Sequence, residues 1–211
     1  MIPSRAIPNI ITVARIVLCP VIFVLLFVPT FTARFIAWIL FLVAAFSDLF
    51  DGHLARKYGW ISDFGKLVDP IADKLLLVAT FIPFYILSNT DPSESNLPVI
   101  DTLPLWIMLV IFGREIFVTI FRAFAARRGI VIAAGPAGKH KAVWQNIFIG
   151  AAIFWYALQS AALNRGWSSE AWDWWRKFHA FVFIVSLAVA VFLTVWSMIV
   201  YIRSWSKLRL S

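Results

Sequence analysis

The sequence predicts an all-α integral membrane protein of six transmembrane helices, and three features carry that prediction. Of the 211 residues, 62% are hydrophobic and only 14% charged, and the mean hydropathy is +0.85, far from the balance of a soluble domain. Several apolar stretches reach the roughly 20 residues that a helix needs to cross a bilayer. Alternating apolar and polar strand patterns are absent, so helices rather than a barrel do the spanning.

The first span runs from Asn9 to Val28. Met1-Ile2-Pro3-Ser4-Arg5 leads into it with no small-residue cleavage site, so this start is expected to be retained and not removed as a signal peptide. Cys19, the only cysteine, lies within the apolar run; it can form no intrachain disulfide and is expected to be a small buried packing residue. The second span, Ala33 to Gly52, ends in Asp48 and Asp51, and the third, Val68 to Leu87, begins with Asp69 and Asp73. Asn89 to Asp101, dense in turn formers and acids, reads as a solvated connection. The fourth span, Leu103 to Ala125, contains Arg114, Glu115 and Arg122, charges that need partners in the interior. The fifth runs from Lys141 to Leu163 and the sixth from Phe178 to Arg203. Between them, Trp167, Trp172, Trp174 and Trp175 suit an amphipathic aromatic anchor at the headgroup level. No internal repeat or long linker divides the chain, and residues 1–211 read as a single membrane domain.

The net charge of +8 follows from membrane orientation and anionic lipid, so nucleic acid is not an expected partner. With six spans both termini share one side. Loops on that side carry Arg5, Arg56, Lys57, Lys66, Arg127, Arg128, Lys139, Lys141, Arg203, Lys207 and Arg209, against Arg34, Arg165, Arg176 and Lys177 opposite. This excess places both termini in the cytoplasm of a multi-pass inner (plasma) membrane protein. Arg15, Lys74, Arg114 and Arg122 sit within or at the ends of spans.

Five of the eleven acids fall between Asp48 and Asp73. Asp48 and Asp51, three apart, share a helix face; Asp69 and Asp73, four apart, share a face of the next helix, and a helical hairpin can bring the pairs together. Four carboxylates in a low-dielectric site repel unless cations are present, and divalent metal resolves the conflict. Oxygen-only ligands favour Mg²⁺ or Mn²⁺ over zinc. Two such ions about 4 Å apart can bridge a diphosphate, which implies a substrate carrying one. Gly52 and Ala55 leave the Asp48 side of the helix clear of bulk, and Arg56 can offer a fork of donors to phosphate. Gly65 and Pro70 admit structural as well as functional readings; Asp63 reads as a solvated loop residue, and His53, His140 and His179 receive no role.

Asp48-x2-Asp51-Gly52-x2-Ala55-Arg56-x8-Gly65-x3-Asp69-x3-Asp73 resembles the full signature of the CDP-alcohol phosphotransferase family, with eight fixed positions over 26 residues. The resemblance implies a six-helix membrane fold whose active site opens at the cytoplasmic face. It implies that Asp48, Asp51 and Asp69 hold one metal, that Asp48, Asp69 and Asp73 hold the other, and that Asp73 is also the general base. By the same resemblance Gly52, Arg56 and Ser62, with Asn9, Ile10, Ile11 and Thr12, contact the CDP-linked lipid.

Beyond this core, Pro8-Asn9-x2-Thr12-x2-Arg15, Val68-Asp69-Pro70-Ile71-Ala72-Asp73-Lys74, Arg114-Glu115 and Gly138-Lys139-x-Lys141-x3-Gln145 resemble the bacterial phosphatidylglycerophosphate synthases. That resemblance implies CDP-diacylglycerol as donor and glycerol 3-phosphate as acceptor. Lys139 and Lys141, with Arg114 and Arg122, are then candidate ligands of the acceptor phosphate, whereas Arg127 and Arg128 equally suit the positive-inside bias. Phosphatidylglycerol and inositol phosphate remain alternative acceptors, and a homodimer stays open. An intramembrane prenyltransferase lacks the Gly52, Ala55, Arg56 and Gly65 frame, and a transporter of buried acids usually shows repeated halves.

Overall fold

The computed structural model describes residues 7–58, 63–90, 96–128 and 136–208. Six helices fill them: α1 (Ile7–Phe27), α2 (Phe31–Tyr58), α3 (Asp63–Thr90), α4 (Leu105–Arg127), α5 (Pro136–Arg165) and α6 (Glu170–Leu208). An isolated bridge between Leu97 and Asp101 is the only strand-like pairing among the described residues.

Each helix is sorted by face. On α1 the buried positions are Thr12, Arg15, Cys19, Ile22 and Leu26, three and four residues apart, whereas Val13, Val17, Val21 and Val24 are exposed. Exposed β-branched residues on a regular helix face lipid, where backbone groups must be satisfied within the helix. A stripe on α6, His179, Phe183, Ser186, Ala190, Thr194, Ser197 and Tyr201, repeats the pattern. Its hydroxyls have no water to turn to: Ser186 and Ser197 donate to the carbonyls of Phe183 and Thr194, and Thr194 to that of Ala190.

α5 is the most enclosed of the apolar helices and packs on α2 and α6, while α1 packs on both α2 and α3. Mid-bundle, Phe148 of α5 meets Phe81 of α3 at 5.5 Å and Phe183 of α6 at 5.0 Å between ring centroids. This apolar plug separates two polar ends.

α1, α3, α5 and α6 are long and apolar enough to cross a membrane, which makes the chain a multi-pass membrane protein. The apolar part of α2, Phe31–Ser47, is shorter, and α4 interrupts its apolar run with Arg114, Glu115 and Arg122. The helices outrun the spans expected from hydropathy. α3 begins at Asp63, so Gly65 and Pro70 both lie inside the helix. α6, at 39 residues, extends about 58 Å, well past a hydrocarbon core of about 30 Å. Trp172, Trp174 and Trp175 ride on its first turns and do not form a separate interfacial segment.

Two further expectations are corrected. The connection after α3 is not merely solvated. Residues 91–95 lie outside the described set, but Leu97 and Leu103 are fully buried, and Trp155 Nε1 donates to the Asn96 carbonyl at 2.8 Å. Arg34 is no loop charge: it is buried, donating to the Leu26 and Tyr156 carbonyls at 3.3 and 3.4 Å and to Ser160 Oγ at 2.7 Å. Cys19 is buried as expected.

Candidate active site

The up-and-down course of six helices gathers at one end the first half of α1, the last turns of α2, the first half of α3, the end of α4, the start of α5 and the end of α6. The sequence concentrates its intramembrane charge in these stretches. Packing of α1 against α3 lets the buried face of α1 supply polar partners to the α3 carboxylates. Thr12 Oγ1 donates to Asp69 Oδ1 at 2.7 Å, and Arg15 Nη1 donates to Asp73 Oδ1 at 3.1 Å. The Arg15 side chain is 1% exposed and that of Asp73 57%, so the ion pair joins a cation rooted in the core to a carboxylate open to an incoming molecule. Asp69 and Asp73 occupy successive turns of α3, with Pro70 between them removing one backbone donor from the helix.

Asp48 and Asp51 stand three residues apart on α2, with Gly52 and Arg56 in the turns that follow. The side chains of Asp48, Asp51 and Arg56 lie outside the described residues, as does Ser62 altogether. The convergence of all four aspartates therefore concerns positions only half of which are described. Among the described residues no three His, Cys, Asp or Glu side chains gather into a metal-binding group. The donors that are described, two carboxylates one turn apart with a hydroxyl on one of them, are hard oxygen groups of a kind that fits Mg²⁺ or Mn²⁺. Of the stretch expected to meet a CDP-lipid, Thr12 is buried on Asp69, Asn9 and Ile11 are half-buried, and Ile10 is exposed.

A second polar cluster stands beside the aspartates. Glu115 Oε1 accepts from Arg114 Nη1 at 3.1 Å and from Lys141 Nζ, joining α4 to α5. Arg114 Nε donates to Ser197 Oγ of α6 at 3.0 Å, and the Arg114 guanidinium lies 5.7 Å from the Tyr201 ring. Arg122 donates to the Tyr201 hydroxyl and sits over the same ring at 5.2 Å. The attraction between Lys141 and Asp73 is the weakest of the electrostatic influences on this lysine, after those of Glu115 and Arg114. A Cβ at Gly138 would lie 3.6 Å from Arg114 Nη2, so the start of α5 runs close against this arginine. Arg114, Arg122 and Lys141 are thus brought together; the Lys139 side chain lies outside the described residues.

Sequence reasoning gave no role to Arg15, Ser197 or Tyr201. A signal was available: Thr194, Ser197 and Tyr201 recur every three or four residues within an otherwise apolar span, on one helix face. Gln145, one turn beyond Lys141, is also buried, and its Nε2 has no hydrogen-bond partner among the described residues.

Comparison with known proteins adds an independent line. The profile of the CDP-alcohol phosphatidyltransferase family matches residues 5–206. A protein of Bacillus subtilis named CDP-diacylglycerol--glycerol-3-phosphate 3-phosphatidyltransferase is 32% identical over 217 residues, covering 97% of each chain. A Rickettsia bellii protein of the same name is 36% identical over 138 residues, 65% of this chain and 69% of its own. A probable phosphatidylglycerophosphate synthase of Mycobacterium tuberculosis is 39% identical over 145 residues, 67% of this chain; the match spans 63% of that relative's length.

Proposed function

Because the chain belongs to the CDP-alcohol phosphatidyltransferase family, we propose that it transfers the phosphatidyl group of CDP-diacylglycerol to glycerol 3-phosphate, giving phosphatidylglycerophosphate and CMP. The observation that carries this reading is the presence, at one end of the bundle, of an aspartate face on α3 held by α1 and a basic cluster held between α4 and α5. A diphosphate donor and a phosphorylated acceptor need those two neighbours. The names borne by the Bacillus and Rickettsia relatives agree with it.

Asp73 takes the proton from the primary hydroxyl of the acceptor, and that oxygen forms a bond to the lipid-bearing phosphorus as the bond to CMP breaks. The exposure of Asp73 suits this task, and Arg15 orients the carboxylate from the core side. Asp48, Asp51, Asp69 and Asp73 would hold two divalent ions, Mg²⁺ or Mn²⁺, which supply charge neutralisation to the diphosphate and the departing oxygen. Thr12 fixes the Asp69 carboxylate, while Asn9, Ile10, Ile11, Gly52, Arg56 and Ser62 would contact the donor, as the family resemblance implies. Arg114, Arg122, Lys139 and Lys141 receive the acceptor phosphate through charge-assisted hydrogen bonds.

The polar end belongs to the cytoplasmic side of the inner membrane in this reading. The basic excess of the loops supports that side, and burial of Arg34 leaves only Arg165, Arg176 and Lys177 opposite. The test is CMP release by purified protein with CDP-diacylglycerol and Mg²⁺, offered glycerol 3-phosphate, inositol 1-phosphate, serine and phosphatidylglycerol separately. Release with glycerol 3-phosphate alone is expected; preference for another acceptor overturns the choice of substrate.

A further inference from the structure

Transfer chemistry needs cations for the acceptor phosphate but does not by itself call for an acid among them. Lys141 is 4% exposed and Arg114 7%, and two cations this deeply enclosed repel each other in a low dielectric. Glu115 lies between them with one carboxylate oxygen on both. The far side of Arg114 is held by Ser197, and Arg122 is joined to Arg114 through the shared Tyr201 ring. Arg114, Arg122 and Lys141 thus each have at least one donor held by a neighbouring side chain. Among the described side chains, three positive groups, Arg114, Arg122 and Lys141, and one negative group, Glu115, leave a formal charge of +2; Lys139, whose side chain lies outside the described residues, is not counted. A phosphate monoester carries about −1.5 to −2 at neutral pH. The cluster thus matches a dianion in charge, whereas serine is zwitterionic and a phosphodiester lipid brings a single negative charge.

We propose that Glu115 is a positioning and specificity-determining residue, which holds Arg114 and Lys141 side by side as one receptor and tunes its charge to a phosphomonoester acceptor. The role rests on the transfer reaction proposed above only for the identity of the acceptor. Without the carboxylate the two cations separate, and the fork they present to a phosphate is lost although both charges remain.

The test uses the full chain in detergent or lipid nanodiscs and two readouts. In the first, Glu115→Gln raises KM for glycerol 3-phosphate at least about tenfold, in line with a lost charge-assisted contact. KM for CDP-diacylglycerol and kcat stay within about threefold, and Glu115→Asp recovers part of the effect. In the second, inorganic phosphate raises the thermal unfolding temperature of the wild type but not of Glu115→Gln. Should Glu115→Gln fail to fold, Ser197→Ala, which frees the far side of Arg114, is expected to raise KM for glycerol 3-phosphate selectively. Wild-type KM and wild-type phosphate protection in the folded variants overturn the positioning role, as does an equal fall in kcat and in both specificity constants. If phosphate protection depends on Glu115 while the wild type turns over no glycerol 3-phosphate, the acceptor reading fails and the positioning role stands.

Discussion

Asp73 carries the most specific chemical claim, since it alone is assigned both proton acceptance and a metal. Its carboxylate is open on one side and paired with the buried Arg15 on the other, so an amide of the same shape can keep the packing while losing the base. Asp73→Asn is expected to cut turnover by about 10² to 10⁴ while leaving donor binding largely intact; single-turnover kinetics set beside CDP-diacylglycerol binding check both halves. Equal loss of binding and rate would make Asp73 a metal ligand first. The aspartates were legible in the sequence because their spacing of three and four residues specifies a helix face whatever the fold. Their partners were not. Arg15 lies 58 residues from Asp73, and Lys141 lies 26 from Glu115, so each pairing depends on how two helices are rotated against each other. No local pattern encodes that rotation.

At the scale of the elements, α1 is the shared wall of the site, lending Thr12 and Arg15 to α3 from the polar end of a stripe that turns apolar at Cys19. Arg34 acts at the opposite end of the bundle, tying α1, α2 and α5 through two carbonyls and a hydroxyl. Arg34→Ala should therefore lower stability by about 1–3 kcal/mol, through unpaired acceptors and lost hydrogen bonds, without moving KM for either substrate. Thermal unfolding in detergent compared with steady-state kinetics separates the two effects. Hydropathy located all six helices but marks only their apolar spans, which the helices outrun, and it misjudged this arginine. It measures transfer into lipid, whereas helix ends follow backbone hydrogen bonding beyond the hydrocarbon, and a guanidinium is accommodated inside when carbonyls face it. The loop before α4 was misread for a related reason: its polar composition conceals Leu97 and Leu103, which seat it on the core.

For the whole molecule, an aromatic centre divides a polar end containing Asp69, Asp73, Arg114, Glu115 and Lys141 from one containing Asn96, Gln159 and Arg34. In the proposed topology of six membrane crossings, the N- and C-termini lie on the same side as the aspartates. Single cysteines introduced at Ser4 and Ser206 in a Cys19→Ala background should react with a membrane-impermeant maleimide only from the cytoplasmic side, and one at Ser168 only from the other. Labelling of Ser4 and Ser206 positions from opposite sides would reduce the number of crossings to an odd one. The measurement that bears most directly on the central claim, that the α2 and α3 aspartates form a metal-dependent transfer site, compares CMP release by the wild type and Asp69→Asn at saturating Mg²⁺ with CDP-diacylglycerol and glycerol 3-phosphate. The wild type should release CMP only when Mg²⁺ or Mn²⁺ is present, and Asp69→Asn should fall to background at every metal concentration. Turnover near the wild-type rate in Asp69→Asn, or wild-type release that persists in a chelator, would contradict the claim.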